Sequence, residues 1–225
     1  MDSVNTAIRK PDFITFTGID VRTSLGRVLE LSGRYPVEWA VLFSLDRQGE
    51  ENRYPSKDFV AALKTLPFGK AAHLCGLHAT CALHGIKASG LDLQYFDRFQ
   101  INHRNPSDDA ILAYARKYGG SGIMQVRGDE FPACNNCVQM LFDRSGGTGK
   151  VPDTWPRHPG GGVQVGYAGG INPDNVLDVI DAIGPDGPYW IDMESGVRTD
   201  DWFDLDKCEA VLQAVYGVGR SVDER

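Results

Sequence analysis

Three features are scarce in this sequence: basic charge, long apolar runs and paired cysteines. The 225 residues carry a formal net charge of −7. No basic stripe is visible, which argues against a nucleic-acid partner, because such binding depends on the release of counterions by clustered cations. No stretch approaches the roughly 18 apolar residues that cross a bilayer, which argues against a membrane partner.

The first ten residues are polar and lack the apolar core of a signal peptide. Five cysteines, an odd number, fit a reducing compartment better than a disulfide framework. We therefore expect a cytoplasmic protein.

The apolar content is sufficient for one full core. Hydrophobic residues make up 42% of the chain, and neither a low-complexity segment nor a domain linker interrupts it. We therefore expect a single domain over residues 1–225.

Eight short apolar stretches, most of them followed by a helical pattern, predict parallel βαβ units. The stretches are Phe13–Gly18, Trp39–Ser44, Ala71–Leu77, Arg98–Asn102, Gly122–Val126, Val138–Phe142, Val163–Ala168 and Tyr189–Met193. Several are continuous apolar runs, as expected for strands that helices cover on one side and side chains fill on the other. The predicted fold class is α/β, a single (β/α)8 TIM barrel with eight parallel strands.

Helical patterns lie between most of these stretches. The predicted helices are Ser24–Ser32, Ser56–Thr65, Thr80–Ile86, Ser107–Tyr118, Pro173–Ile183 and Leu205–Tyr216. Ser56 and Ser107 are expected to cap their helices, and Pro173 is expected in a first turn. Between Asp129 and Asn136 a helix is short or missing. The tract Gly149–Gly162, rich in proline and glycine, predicts a long loop near the barrel mouth and a mobile lid.

Three strand ends continue into glycine-containing segments, at Phe142–Lys150, Ala168–Asn175 and Ile191–Val197. The carboxyl ends of barrel strands meet at one mouth, so we expect these three segments to lie together. Glycine permits positive φ and lets amide N–H groups approach a ligand closely, as a phosphate requires. The pattern predicts a phosphorylated small molecule as the ligand.

In order and spacing these three segments, with Trp155 and the segment Phe203–Lys207, resemble the sixth, seventh and eighth strand exits of phosphoribosylanthranilate isomerase. That family is a (β/α)8 barrel of tryptophan biosynthesis and performs an Amadori rearrangement on a ribose phosphate. The resemblance extends over nearly the whole chain. It implies a sugar-phosphate isomerase that is a monomer or a homodimer. The motifs require neither a metal nor a cofactor.

The resemblance also implies roles for individual residues. Asp143 matches the general acid that protonates the furanose ring oxygen as the ring opens. Arg53 lies where the family places an arginine for the anthranilate carboxylate, a role that suits a guanidinium fork. The remaining substrate-binding residues implied by the resemblance are Gly146, Gly147, Gly169, Gly170, Asn172, Ser195 and Gly196.

Two positions depart from the family pattern. The first strand of the family ends Lys-Ile-Cys-Gly, and its cysteine removes a proton from C2 of the opened sugar; here Thr17 stands at that position. A threonine hydroxyl has a far higher pKa than a thiol, so we expect a relocated base or an altered substrate. At the eighth exit the family reads Asp-Val-Ser-Ser-Gly, and this chain has Glu194 in place of the first serine. Asp143 and Glu194 together can supply an acid and base pair.

Other residues are weaker candidates. His73 and Cys75 lie two apart on the third strand, so both face the same way, and either is a possible replacement base if it reaches the mouth. Lower in the barrel they would be packing residues. His103, just beyond the fourth strand, is a weaker candidate for the mouth, whereas His78 and His84 are expected on a solvated helix face.

The role of one cysteine pair and two alternative functions stay open. The lone Cys-x-x-Cys of Cys134 and Cys137 lacks the second pair that would indicate zinc, which favours structural thiols. A lyase or aldolase-type enzyme on a phosphorylated substrate is possible, although no well-placed lysine stands out for a Schiff base. A non-catalytic barrel that binds a phosphorylated ligand is the remaining alternative.

Overall fold

A computed structural model describes residues 9–86, 90–133, 138–145 and 148–217 of the chain. The predictions made for Cys134, Cys137, Gly146 and Gly147 fall outside these ranges. Within the described ranges, none of the helices has the length and apolar character needed to cross a membrane.

Eight parallel strands close into a barrel in chain order. They are β1 (Phe13–Thr17), β2 (Val37–Phe43), β3 (Gly69–Leu74), β4 (Arg98–Ile101), β5 (Ser121–Val126), β6 (Gln139–Asp143), β7 (Val165–Ala168) and β8 (Tyr189–Met193). Each strand pairs with the next, and β1 pairs with β8 to complete the barrel. The predicted fold class is therefore confirmed. The third strand ends at Leu74, three residues earlier than predicted, because Gly76 turns the chain with a φ of +55° into the following helix.

Six helices connect the strands of the described chain. They are α1 (Leu25–Arg34), α2 (Lys57–Lys64), α3 (Leu77–Leu83), α4 (Asp108–Arg116), α5 (Val176–Ile183) and α6 (Leu205–Tyr216). Ser56 and Ser107 accept hydrogen bonds from the first turns of α2 and α4, as predicted. Pro173 is not in the first turn of α5, because the backbone N–H of Asn172 donates to Asn175 Oδ1 at 2.8 Å and holds these residues as a turn before the helix.

Aromatic side chains take the place of a helix over the outer face of β6 and β7. Trp155 packs against Phe142 at 5.8 Å and against Tyr167 at 6.1 Å between ring centroids. The Tyr167 hydroxyl donates to the Pro156 carbonyl at 3.2 Å, and the buried His158 ring lies 3.1 Å from the Pro188 carbonyl oxygen. Residues 155–158 of the predicted lid therefore belong to the barrel wall, while Gly149 lines the mouth.

A buried polar layer fills the barrel below the mouth. Arg98 donates to Glu38 Oε1 and to Gln139 Oε1, both at 2.8 Å, and its guanidinium lies 4.1 Å from the centre of a Trp190 ring. Thr15 donates to the same oxygen of Glu38 at 2.8 Å. Burial raises the pKa of Glu38, although Arg98 opposes the shift. Residues that face the inside of the barrel alternate along a strand. Thr15 and Trp190 therefore lie two residues below Thr17 and Asp192, which line the mouth.

Candidate active site

The carboxyl ends of the strands surround a cavity of about 800 Å³, a size that suits a small molecule. Most of the residues proposed from the sequence line it: Thr17, Arg53, His73, Cys75, Asp143, Gly169, Gly170, Glu194 and Ser195. Asn172, Gly196 and His103 are not among the lining residues. The topology thus brings most of the proposed acid, base and phosphate-binding groups to one mouth.

Asp143 is the last residue of β6 and points into the cavity. Gln125 Nε2 donates to Asp143 Oδ2 at 2.7 Å, and Ser145 Oγ donates to Asp143 Oδ1 at 2.7 Å. Arg127 in turn donates to Gln125 Oε1 at 2.9 Å. These bonds fix the carboxylate plane, which is what a positioned proton donor requires. The sequence interpretation missed Gln125, whose signal is a polar residue at an inward position of an otherwise apolar strand.

The exits of β7 and β8 offer backbone donors. Gly169 and Gly170 have φ values of +124° and +64°, and Ser195 begins a short 3-10 turn that ends at Val197. Among the described residues, the amide N–H groups of Gly169, Gly170 and Ser195 form no hydrogen bond within the protein. Unpaired N–H groups at a cavity wall are suited to bind an anion. This side of the mouth can therefore hold a phosphate without a cationic side chain.

Glycine is also needed here because the exits approach one another closely. A Cβ atom at Gly170 would lie 2.4 Å from the backbone nitrogen of Val151, and one at Gly149 would lie 2.3 Å from Ser195 Oγ. At Gly196 the corresponding distance to the Ile171 carbonyl oxygen is 1.9 Å. Gly196 therefore permits the β7 and β8 exits to touch.

Asn172 has a similar bracing role within the β7 exit. Its Oδ1 accepts from the Asp174 N–H at 2.9 Å, and its Nδ2 lies 3.4 Å from the Gly170 carbonyl oxygen. These contacts, with the bond from its N–H to Asn175, shape the loop that presents Gly169 and Gly170 to the cavity.

Thr17 lies beside a buried carboxyl group that the sequence interpretation did not single out. Its hydroxyl donates to Asp192 Oδ1 at 2.8 Å, and the other oxygen of Asp192 is 3.9 Å from His73 Nε2. Burial raises the pKa of Asp192 to about 8, with the neighbouring carboxylates Glu38 and Glu194 adding to the rise and the Thr17 hydrogen bond opposing it. A carboxyl group with a pKa in this range is suited to proton transfer near neutral pH.

The two replacement bases proposed on β3 reach the mouth but have different properties. Burial lowers the pKa of His73 to about 3, and the charge of Arg98 acts in the same direction, so the imidazole is neutral. His73 Nε2 is buried without a hydrogen-bond partner among the described residues. Burial raises the pKa of the Cys75 thiol, and Asn102 Nδ2 lies 3.3 Å from Cys75 Sγ.

Arg53 reaches across the mouth and is held by two carboxylates. One terminal nitrogen donates to Glu194 Oε1 at 2.7 Å, and the other donates to Asp201 Oδ1 at 2.8 Å. Burial raises the pKa of Glu194 while Arg53 opposes the rise, and the hydrogen bond from Arg53 lowers the pKa of Asp201. Each terminal nitrogen of the guanidinium therefore has one carboxylate partner within the protein.

The prediction for His78 is wrong. Helix α3 begins at Leu77, three residues earlier than predicted, and His78 in its first turn is buried with 6% exposure. His84 is exposed, as predicted. His103 Nδ1 lies 3.0 Å from the Asn105 carbonyl oxygen, and its ring stays outside the cavity.

Comparison with known proteins connects the second half of the barrel to one family. Residues 123–214 match the family model of N-(5'phosphoribosyl)anthranilate (PRA) isomerase. The resemblance predicted from the sequence is confirmed for this segment. The segment contains Asp143, the Gly169 and Gly170 exit and Ser195, whereas Thr17 and Arg53 lie outside it. No curated protein sequence matches the chain at a significant level.

Solved structures with the same architecture carry the same names. The chain resembles TrpF from Jonesia denitrificans, with 18% identity over 92% of this chain and 97% of that chain and a TM-score of 0.57. It also resembles N-(5'-phosphoribosyl)anthranilate isomerase from Pyrococcus furiosus, with 17% identity over 92% and 99% and a TM-score of 0.56. A phosphoribosyl anthranilate isomerase solved with reduced 1-(o-carboxyphenylamino)-1-deoxyribulose 5-phosphate has 16% identity over 91% and 98% and a TM-score of 0.55. At such identities the likeness shows a shared barrel fold.

Proposed function

We propose that this chain is a sugar-phosphate isomerase similar to phosphoribosylanthranilate isomerase, which opens the ring of a phosphorylated glycosylamine and catalyses an Amadori-type rearrangement. One observation carries the proposal. The segment that matches the family model supplies the Asp143 carboxylate, the Gly169 and Gly170 exit of β7 and Ser195 at the β8 exit, and all of them line one cavity. The proposal thus assigns both a binding site for the substrate phosphate and a proton donor.

The acid step falls to Asp143. A proton from its carboxyl group passes to the furanose ring oxygen as the bond from that oxygen to C1 breaks. Gln125 and Ser145 keep the carboxyl group in one orientation through bonds of 2.7 Å each. In this proposal the phosphate of the substrate binds the N–H groups of Gly169, Gly170 and Ser195, which places the ribose between the two sites.

We assign the base step to Asp192 rather than to Thr17. The threonine hydroxyl donates to Asp192, so the carboxylate lies beside the position that the family gives to its cysteine. In its ionised form, Asp192 accepts the proton from C2 of the opened sugar, and the C–H electrons form the C1–C2 double bond as the π electrons of the C1–N iminium return to nitrogen. A raised pKa near 8 makes this carboxylate a stronger base than an ordinary aspartate.

The other base candidates fit less well. Neutral His73, with a pKa of about 3, is a weak base, and the raised pKa of the Cys75 thiol keeps it protonated. Glu194 is paired with Arg53. No lysine is among the described residues that line the cavity, so nothing there favours an aldolase that works through a Schiff base.

The test is turnover of phosphoribosylanthranilate, followed by the loss of anthranilate fluorescence, together with glycosylamine phosphates of other aryl amines. Wild type is compared with Asp192→Asn, Asp143→Asn and Thr17→Cys. Turnover by wild type that is lost in Asp192→Asn supports the proposal. Turnover by Thr17→Cys alone means that the scaffold fits the substrate but the natural chain lacks the base. If no variant turns over any of these substrates but phosphorylated ligands still bind, the barrel is a binding protein and the proposal is wrong.

A further inference from the structure

Arg53, which follows β2, reaches the exit of β8, and carboxylates of the same chain match its charge. Arg53 bonds to Glu194 and Asp201 at 2.7 and 2.8 Å, and Arg198 Nε lies 3.6 Å from the same oxygen of Asp201. The guanidinium side chain is 29% exposed and Glu194 is 26% exposed. Both are partly removed from solvent, which leaves the interaction less screened than a surface ion pair.

The fold holds Asp201 in place beside Arg53. Asp201 lies at the tip of a hairpin formed by β9 (Arg198–Thr199) and β10 (Trp202–Phe203). Asp200 and Asp201 have φ values of +50° and +59°, which is the geometry of a tight two-residue hairpin turn and is unfavourable for residues other than glycine. The Arg198 guanidinium donates to the Asp201 carbonyl at 2.6 Å and also to Asp20, which ties the turn to the β1 exit.

More carboxyl groups than guanidinium groups line the cavity. Its carboxyl groups are Glu50, Glu51, Asp143, Asp192, Glu194 and Asp201, and its guanidinium groups are Arg47, Arg53 and Arg127. Arg47 lies over the Tyr54 ring at 4.4 Å and hydrogen-bonds to Ser44, and Arg127 donates to Gln125. A ligand carboxylate that reached Arg53 would meet two carboxylates already in contact with it, and like charges at that range repel.

We propose that Glu194 and Asp201 make the Arg53 end of this cavity selective for a glycosylamine phosphate whose amine-linked group carries no negative charge and donates hydrogen bonds, such as a carboxamide. The inference rests on the proposed function and names its substrate class. Glu194 takes the place that a carboxylate of the substrate would occupy at Arg53. The Glu194 oxygen that does not bind Arg53 then accepts a hydrogen bond from an amide N–H of the ligand.

Two ligands that differ at one group test this selectivity. They are reduced 1-(o-carboxyphenylamino)-1-deoxyribulose 5-phosphate and its o-carbamoyl counterpart, with binding measured by calorimetry. We expect wild type to bind the carbamoyl ligand about tenfold tighter than the carboxy ligand, since a nearby charge pair contributes energy of this order. In Glu194→Gln the carboxy ligand should gain about tenfold in affinity while the carbamoyl ligand changes little.

Two further variants control for charge and folding. Glu30→Gln removes the same charge from the exposed face of α1, at a side chain that is 54% exposed, and should leave the affinity ratio unchanged. Asp201→Asn acts on the same guanidinium from the hairpin tip, where asparagine tolerates positive φ, and should shift the ratio in the same direction as Glu194→Gln.

The outcomes separate this inference from the proposed function. If wild type binds the carboxy ligand as tightly as the carbamoyl ligand or tighter, the selectivity is overturned while the isomerase proposal stands. The same conclusion follows if neither Glu194→Gln nor Asp201→Asn changes the ratio. If neither ligand binds to any variant, the proposed function fails and the selectivity fails with it.

Discussion

The backbone of the β7 and β8 exits and the side chains around Thr17 and Arg53 offer a ligand different chemistry. The first side presents N–H groups of Gly169, Gly170 and Ser195. The second presents side chains, with Thr17 bonded to Asp192 and Arg53 bonded to carboxylates. The first side lies within the segment that matches the family model, whereas the second side joins Thr17 and Arg53 from outside that segment to Asp192, Glu194 and Asp201 from within it.

The comparison indicates which part of the barrel mouth can change its residues while the other part keeps its structure. A backbone grip depends on close approach of three loops, so few residues other than glycine fit there. The side-chain region around Thr17 and Arg53 depends on which side chains pair with which, so we expect single substitutions there to alter the proposed base and the recognised group while the proposed phosphate end is kept. Four predictions test this division, beginning with the largest expected effect.

Replacing Asp143 by Asn should remove the proton donor that stands between the two sides. We expect kcat to fall by about 10² to 10⁴, because a positioned general acid contributes in this range, while affinity for the reduced ligands stays within a few-fold. Steady-state kinetics and calorimetry measure the two quantities. Asp129→Asn, at an exposed carboxylate paired with Arg144, is the matched control. Unchanged kcat in Asp143→Asn would contradict the assignment.

Gly149→Ala should damage the glycine side alone. The added Cβ would lie 2.3 Å from Ser195 Oγ and 3.2 Å from Ser195 Cβ at a φ of +67°, so the Ser195 hydroxyl must rotate or the two loops must move apart at the proposed phosphate site. We expect affinity for phosphorylated ligands to fall by about tenfold by calorimetry. Gly160→Ala is the control, because its φ of +76° brings the same backbone strain but no atom lies within 4 Å. Equal losses in both variants would attribute the effect to strain rather than to the site.

Thr17→Val should change the pH dependence of turnover rather than abolish it. The Thr17 hydrogen bond lowers the pKa of Asp192, so its removal should raise that pKa further. Because the base must be ionised, the rising limb of the kcat profile should move to higher pH. Thr17→Ser keeps the hydroxyl and should keep the profile. A limb that does not move in Thr17→Val would exclude Asp192 as the titrating base.

Asp192→Asn should change how the stability of the protein depends on pH. In the folded protein burial raises the pKa of Asp192 from 3.8 to about 8, so the folded state holds a proton that the unfolded chain releases. The stabilisation is complete below a pH of about 4 and is lost as the pH rises toward about 8. Wild type should therefore lose more unfolding free energy than Asp192→Asn between about pH 5 and pH 8 in urea titrations. An equal loss in both proteins would show that Asp192 does not carry the raised pKa.

Local patterns in the sequence predicted much of this protein. Short apolar stretches separated by helical patterns predicted the strands and the closed barrel, because hydrophobic periodicity reports local structure. Helix starts were predicted well where a serine cap was present, as at Ser56 and Ser107. They were wrong at α3 and α5, where Gly76 and the turn at 172–175 decide the first residue.

The sequence by itself determined the barrel, the glycine exits and Asp143 at the end of β6, since each depends on residues close together in the chain. Only the tertiary structure decided the partners of Thr17 and Arg53. Thr17 and Asp192 are 175 positions apart, and Arg53 and Glu194 are 141 apart. Closure of the barrel between β1 and β8 brings them together, and the burial and charge that result set the pKa of Asp192 and neutralise the arginine.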